Sequence, residues 1–180
     1  MALSATIYTF EIELADSDRA VYETLNLRVA QHPSETTDYL LTRVIAYCLE
    51  YTEGIAFSKG LSDPGDPAIA VRDLTGALQA WIDIGLPEPE RLHRASKAAP
   101  RVAVYTHKDP ERWSVKLAAA KVYRAEKLEV FVLDRAWLSQ LVARLERRMR
   151  FSLARSGGEI YLTVGDAMLQ TVLVRSASVG

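Results

Sequence analysis

Residues 65–87 read "GDPAIAVRDLTGALQAWIDIGLP", two apolar runs joined by "LTG", with acids at Asp66, Asp73 and Asp83. Alternation of apolar and polar positions predicts a β-hairpin with arms over 68–73 and 77–84. A turn near Thr75 and Gly76 gives facing residues numbers that sum to about 151, so Asp83 stands across from residue 68 and close to Asp66. Asp73 sits beside the turn, several residues from that rung, and at ~3.3 Å per residue it is out of reach. It reads as a turn residue, whereas Asp66 and Asp83 are a pair that a metal could share. A register slip or bulge would separate them.

The flanking segments place this hairpin. "ATIYTFEIEL" and "VYETLNLRVA" both alternate and predict a hairpin over the first thirty residues. In "HPSETTDYLLTRVIAYCLEY" the period changes: Leu40, Leu41, Val44, Ile45, Cys48 and Leu49 recur at three and four, predicting a helix over 35–51. Ser34 serves as its N-cap, and Glu35 complements the positive first turn. "GIAFSKG" reads as a short strand and "LSDPGDP" as a loop. Beyond the hairpin, "LPEPERLHRASKAAP" is a helix opened by prolines and acids, and "RVAVYTH" is a strand buried on both faces. Segment 110–122 fits either state, "LEVFVL" is a strand, and "DRAWLSQLVARLERR" is a capped helix. The chain closes as three strands over "MRFSLARSGGEIYLTVGDAMLQTVLVR", with turns at Gly157-Gly158 and Gly165-Asp166.

Composition narrows the class. A chain of 180 residues, 49% hydrophobic and 25% charged, is expected to form one domain over 1–180. Nothing in it approaches the ~20 apolar residues of a membrane helix, and the N-terminus has neither a basic nor an apolar signal region. The expectation is a cytoplasmic protein with no membrane partner. Cys48 is the only cysteine, which excludes an internal disulfide and a four-cysteine zinc site, and it reads as a small core residue. With 22 basic and 23 acidic residues, bulk charge gives no argument for nucleic acid. Such binding needs a local patch. The sequence offers one at 144–150, "RLERRMR", preceded by Lys116, Lys121, Arg124 and Lys127, although a charge run on a helix is more often a solvated face. No Walker A or G-x-G-x-x-G occurs, and His32, His93 and His107 lack metal-ligand spacing. Trp81, Trp113 and Trp137 lie in apolar runs and read as core.

The order helix, three strands, helix, strand over 35–106 is that of the restriction-endonuclease-like core, αβββαβ, of the PD-(D/E)XK nuclease superfamily. The fold expected is therefore α/β, an α+β mixed sheet, with extra β-strands over 1–30 and 150–175. In such nucleases an acid on the second core strand and another on the third hold Mg²⁺, a hard cation that takes carboxylate, phosphate and water oxygens and activates water. Asp66 and Asp83 are the candidate ligands, and Glu35, at the start of the first core helix, is the third. The lysine that normally follows two residues after the second acid is absent, since Gly85 occupies its place. Arg91, Arg94 and Lys97 fall three apart on the next helix. Lys97 is the closest substitute, and Lys97 or Arg94 would steady the scissile phosphate.

"MALSATIY", "HPSET" at 32–36, the "GL" of "FSKGL", "DP" at 66–67, "WIDIGLP" at 81–87 and "VAVYTH" at 102–107 together resemble the YaeQ family of bacterial proteins over essentially the whole chain. The resemblance implies a cytoplasmic protein with a variant restriction-endonuclease-like core and extra terminal strands. Family members usually carry glutamate at the positions of Asp66 and Asp83, so this chain shortens both side chains by one methylene. Two functions follow as expectations. One is a Mg²⁺-dependent phosphodiesterase on nucleic acid, with Asp66, Asp83 and Glu35 on the metal. The other is a catalytically silent nuclease-like fold that binds nucleic acid or a protein partner as a regulatory module.

Overall fold

The computed structural model describes residues 4–58 and 65–176. The chain runs through β1 (Thr6–Asp16), β2 (Val21–Gln31), α1 (Thr37–Leu49), β3 (Ile55–Phe57), β4 (Ile69–Arg72), β5 (Leu78–Ile84), α2 (Pro89–Ala98) and β6 (Arg101–Thr106). It continues through α3 (Glu111–Ala120), β7 (Glu129–Val132), α4 (Arg135–Val142), β8 (Arg148–Ser156), β9 (Glu159–Val164), β10 (Ala167–Val172) and β11 (Val174–Arg175). Part of the "LSDPGDP" loop and the "GL" of "FSKGL" lie outside the described residues.

Two mixed sheets result. One has the order β11-β7-β6-β5-β4-β3, with β5, β6 and β7 parallel and the other neighbours antiparallel. The central hairpin takes the expected register, Ile69 opposite Ile82 and Ala70 opposite Trp81, before a bulge between Val71 and Arg72. The bulge falls toward the turn, so the rung that carries Asp83 is undisturbed. The second sheet, β10-β9-β8-β1-β2, joins the two chain ends through the parallel pairing of β1 with β8.

The core lies between the sheets. Every residue of α1 from Leu40 to Leu49 is buried, and α1 shares one core with Ile82, Ala103 and Tyr105 of the six-stranded sheet, Phe10, Ile12 and Leu153 of the five-stranded sheet, and Trp137, Leu138 and Leu141 of α4. Alternation along β5 sends Trp81 to the opposite face, where it joins Leu92 and Ala95 of α2 and Trp113 and Leu117 of α3. The six-stranded sheet is thus covered on both faces, while the five-stranded sheet is covered on one, which is why β1 and β2 alternate so clearly in sequence.

Three local expectations change. The helix over 35–51 starts later, because Thr36, not Ser34, accepts from the Tyr39 amide at 3.1 Å. Ser34 is turned instead to the His32 ring, 2.6 Å away. Segment 110–122 resolves as α3, with Lys116 on it and Lys121, Arg124 and Lys127 just after it. The helix begun at Asp134 ends at Val142, so "RLERRMR" is not a helix face. Pairing with β1 takes Arg148 onward into β8, and the Thr9 amide donates to the Arg147 carbonyl at 2.8 Å. A distant strand here overrides a local helical period.

The same pairing sets out the uncovered face of the five-stranded sheet in rows. Arg28, Thr9 and Arg148 form one row, and Asn26, Glu11 and Arg150 the next. Thr24, Glu13, Ser152, Thr163 and Met168 follow, then Tyr22, Ala15, Ala154, Tyr161 and Gln170.

Candidate functional site: an acidic hairpin closed by arginine

Asp83 projects from the last turn of pleat in β5, on the α2 side of the sheet, and is buried at 2% exposure. Its Oδ1 accepts from the Ala68 amide at 3.2 Å, which fixes it on the rung inferred from the hairpin register. The cation that meets it is Arg91. The guanidinium binds bidentately, Nε to Oδ2 at 2.7 Å and Nη2 to Oδ1 at 2.9 Å. Nη2 also donates to the Asp66 carbonyl at 2.7 Å, and the group lies 5.3 Å from the Trp81 ring centroid. One arginine thus ties β5, α2 and the start of the hairpin together. Bidentate geometry of this kind is the strong form of an ion pair.

Arg91 sits in the first turn of α2, next to the end of β5. Arg94 and Lys97 lie one and two turns farther along, about 4.5 and 9 Å down the axis at 1.5 Å per residue, and both are exposed. Gly85, where a nuclease would carry lysine, has φ +87°, and a Cβ there would stand 4.0 Å from Cε2 of Tyr39. That left-handed backbone suits glycine better than a lysine, and the cation that meets Asp83 comes from the first turn of α2.

A second pair stands at the start of α1. Glu35 precedes the N-cap and does not lie in the first helical turn. Its Oε1 accepts from Arg43 Nη2 at 2.9 Å, and Arg43 also donates to the Ala30 carbonyl at 2.9 Å. Burial pushes the Glu35 carboxyl above its ordinary value, with Arg43 opposing. Glu35 Oε2 and Arg43 Nε are buried without a hydrogen-bond partner. Tyr39 links the two pairs electrostatically: burial raises its phenol, Asp83 and Glu35 add to the rise, and Arg43 and Arg91 oppose it.

Of the expected acids, Asp83 and Glu35 come to one end of the molecule, whereas the Asp66 residue is exposed and its carbonyl meets Arg91. Asp73 is a turn residue, its carboxylate binding the Thr75 and Ala77 amides. Among the described residues no three His, Cys, Asp or Glu side chains are arranged to hold a metal ion. Both Asp83 oxygens are occupied by Arg91. This donor set does not fit a resident Mg²⁺, which needs carboxylate oxygens free to face it. Arg43 and Tyr39 were missed in the sequence, yet a signal existed: an arginine inside the apolar run "LLTRVIAYCL" must find a buried partner.

Two mixed sheets around a buried helix, four α-helices among the described residues and an arginine-closed hairpin define a mixed α+β protein. The profile of the family described as "YaeQ protein" matches residues 1–173. The chain is 30% identical over 166 residues to "Uncharacterized protein YaeQ" of Escherichia coli K12, with 91% of each chain covered. It is 32% identical over 165 residues to that of Salmonella typhi, again with 91% of each covered. The crystal structure of YaeQ protein from Pseudomonas syringae superposes with a TM-score of 0.89 at 28% identity, over 98% of both chains. That from Xanthomonas axonopodis pv. citri gives 0.87 at 31% identity, over 97% of this chain and 99% of the other. The chain belongs to the YaeQ family. No helix among the described residues is long and apolar enough to cross a membrane.

Proposed function

We propose that this chain carries a restriction-endonuclease-like core that does not cut, and that it works as a nucleic-acid-binding module. The order α1, β3, β4, β5, α2, β6, with neighbouring strands β3-β4-β5-β6, supports the first half. In such a core Asp83, on the third of those strands, and Glu35, just before α1, would be the acids. The observation that carries silence is the bidentate Arg91–Asp83 pair. A guanidinium fills the space that a hydrated divalent cation would need, and its positive charge opposes the entry of another. Arg91 cannot donate a proton or generate hydroxide, so the closed hairpin has structural rather than hydrolytic chemistry.

A Mg²⁺-dependent phosphodiesterase is the second reading, favoured by one observation: the unpartnered Glu35 Oε2. Calorimetric titration with Mn²⁺, on the natural chain and on Asp83→Asn, separates the two. Silence predicts no binding heat at millimolar Mn²⁺ and no cleavage of plasmid DNA or labelled RNA. Metal binding that disappears in Asp83→Asn, with cleavage, overturns it.

A further inference from the structure

The open face of the five-stranded sheet has a composition the hairpin does not explain. Between β2, β1 and β8 lies a recess of about 480 Å³ whose charged lining is three arginines, Arg28, Arg148 and Arg150, against one glutamate, Glu11. It stands out on a chain whose formal net charge is −1. A second recess of about 800 Å³ shares Arg148 and Arg150 and adds Arg144, with Glu146 and Asp166 on its wall. Arg28 and Arg148 are two strands apart, about 10 Å, and Arg148 and Arg150 are two residues apart, about 7 Å. Arg150 pairs with Glu11 at 2.9 Å, but both side chains are largely solvated, 76% and 42% exposed, so a phosphate can displace the carboxylate.

Three rows along the same face, about 20 Å from Arg28 at ~3.3 Å per residue, Tyr22 and Tyr161 occupy one row. Tyr22 is 62% exposed. Between the arginines and the tyrosines stand Asn26, Thr24, Ser152 and Thr163, which can hydrogen-bond, together with Glu11, paired with Arg150, and Glu13, which accepts from the Thr24 hydroxyl. An open β face with cations at one end and rings at the other suits a strand of nucleotides whose bases are unpaired, since every base offers a face to stack on. It suits a duplex poorly, because paired bases cannot reach the rings.

We propose that this face binds single-stranded nucleic acid, with Arg28, Arg148 and Arg150 on the phosphates and Tyr22 and Tyr161 stacking bases. The proposal deepens the reading of the chain as a nucleic-acid-binding module and places the contact on the sheet formed by the two chain ends, apart from the hairpin. All five side chains are on the outer face, so substituting them leaves the core intact.

The test is fluorescence anisotropy of a labelled twelve-nucleotide single strand, with thermal unfolding of each variant as a folding control. Binding is expected to weaken as salt rises, in proportion to the phosphates contacted. The double variant Arg28→Ala/Arg148→Ala should weaken it at least tenfold, and Tyr22→Ala at least threefold. A duplex of the same length should compete at least tenfold less well. Binding that ignores the arginine variants, equal competition by duplex, or equal competition by polyglutamate overturns the proposal; the last assigns the face to an acidic protein segment. Failure here with Mn²⁺ still unbound removes only this surface, whereas Mn²⁺ binding through Asp83 removes the silent-core reading and leaves the surface standing.

Discussion

Where β6 begins, Arg101 joins the end of α1 to the start of β7, donating to Glu50 Oε2 at 2.6 Å and Oε1 at 3.0 Å and to Glu129 Oε1 at 2.7 Å. The Tyr105 hydroxyl closes the group by donating to Glu50 Oε1 at 2.6 Å. At the other end of the same sheet, Asp83 with Arg91 and Glu35 with Arg43 use the same chemistry, but Glu35 Oε2 and Arg43 Nε are left without partners. Both ends pair arginine with carboxylate, and the Glu35–Arg43 pair is the more deeply buried, yet it is the one left incomplete. A network whose buried acceptors are all used holds structure together, while one that keeps spare buried polar atoms is the kind of place where function or strain resides.

The sharpest way to break that comparison is Glu50→Ala. It strips Arg101 of its main partner and leaves the Tyr105 hydroxyl buried without an acceptor, so a loss of about 3–5 kcal/mol is expected by urea unfolding. Arg91→Met should cost less, about 2–3 kcal/mol, because it removes one partner where Glu50→Ala removes the partner of two groups, and because Asp83 keeps the Ala68 amide. Equal losses would erase the energetic difference between the two ends of the sheet.

The smallest effect is a matter of pH. Burial raises the Glu35 carboxyl above 4.5, so the folded chain holds that proton more tightly than the unfolded chain does. The stability contributed is full below 4.5 and declines as pH rises through the raised value. Glu35→Gln should remove this decline. Urea midpoints of the variant should therefore gain on those of the natural chain as pH rises through the window; parallel midpoints would mean that the Glu35 proton plays no part.

The hairpin register was legible because a two-residue period, a turn and one pair of opposed acids together leave little freedom. The identity of the cation was not. Arg91, Arg94 and Lys97 share a face in any helix, and only the position at which α2 starts after β5 puts the first of them on Asp83. The shift of the cap from Ser34 to Thr36 was likewise not legible, since it goes with the His32 ring holding the Ser34 hydroxyl. The basic stretch was visible, but its shape was set by β1, far away in sequence. On a helix those arginines would spread around the axis; on β8, Arg148 and Arg150 point the same way.

That pairing has a consequence for how the protein is made. Glu11 and Arg150, neighbours in the finished sheet, are 139 residues apart. At ~5–20 residues per second, the first hairpin waits on the order of 10 s for its parallel partner. Through that interval Phe10, Ile12 and Leu14, all core residues in the end, lie beside an edge with no strand to meet it. β1 is thus among the last strands to gain both neighbours, and nascent chains stalled before Arg148 keep that edge open to wrong pairing.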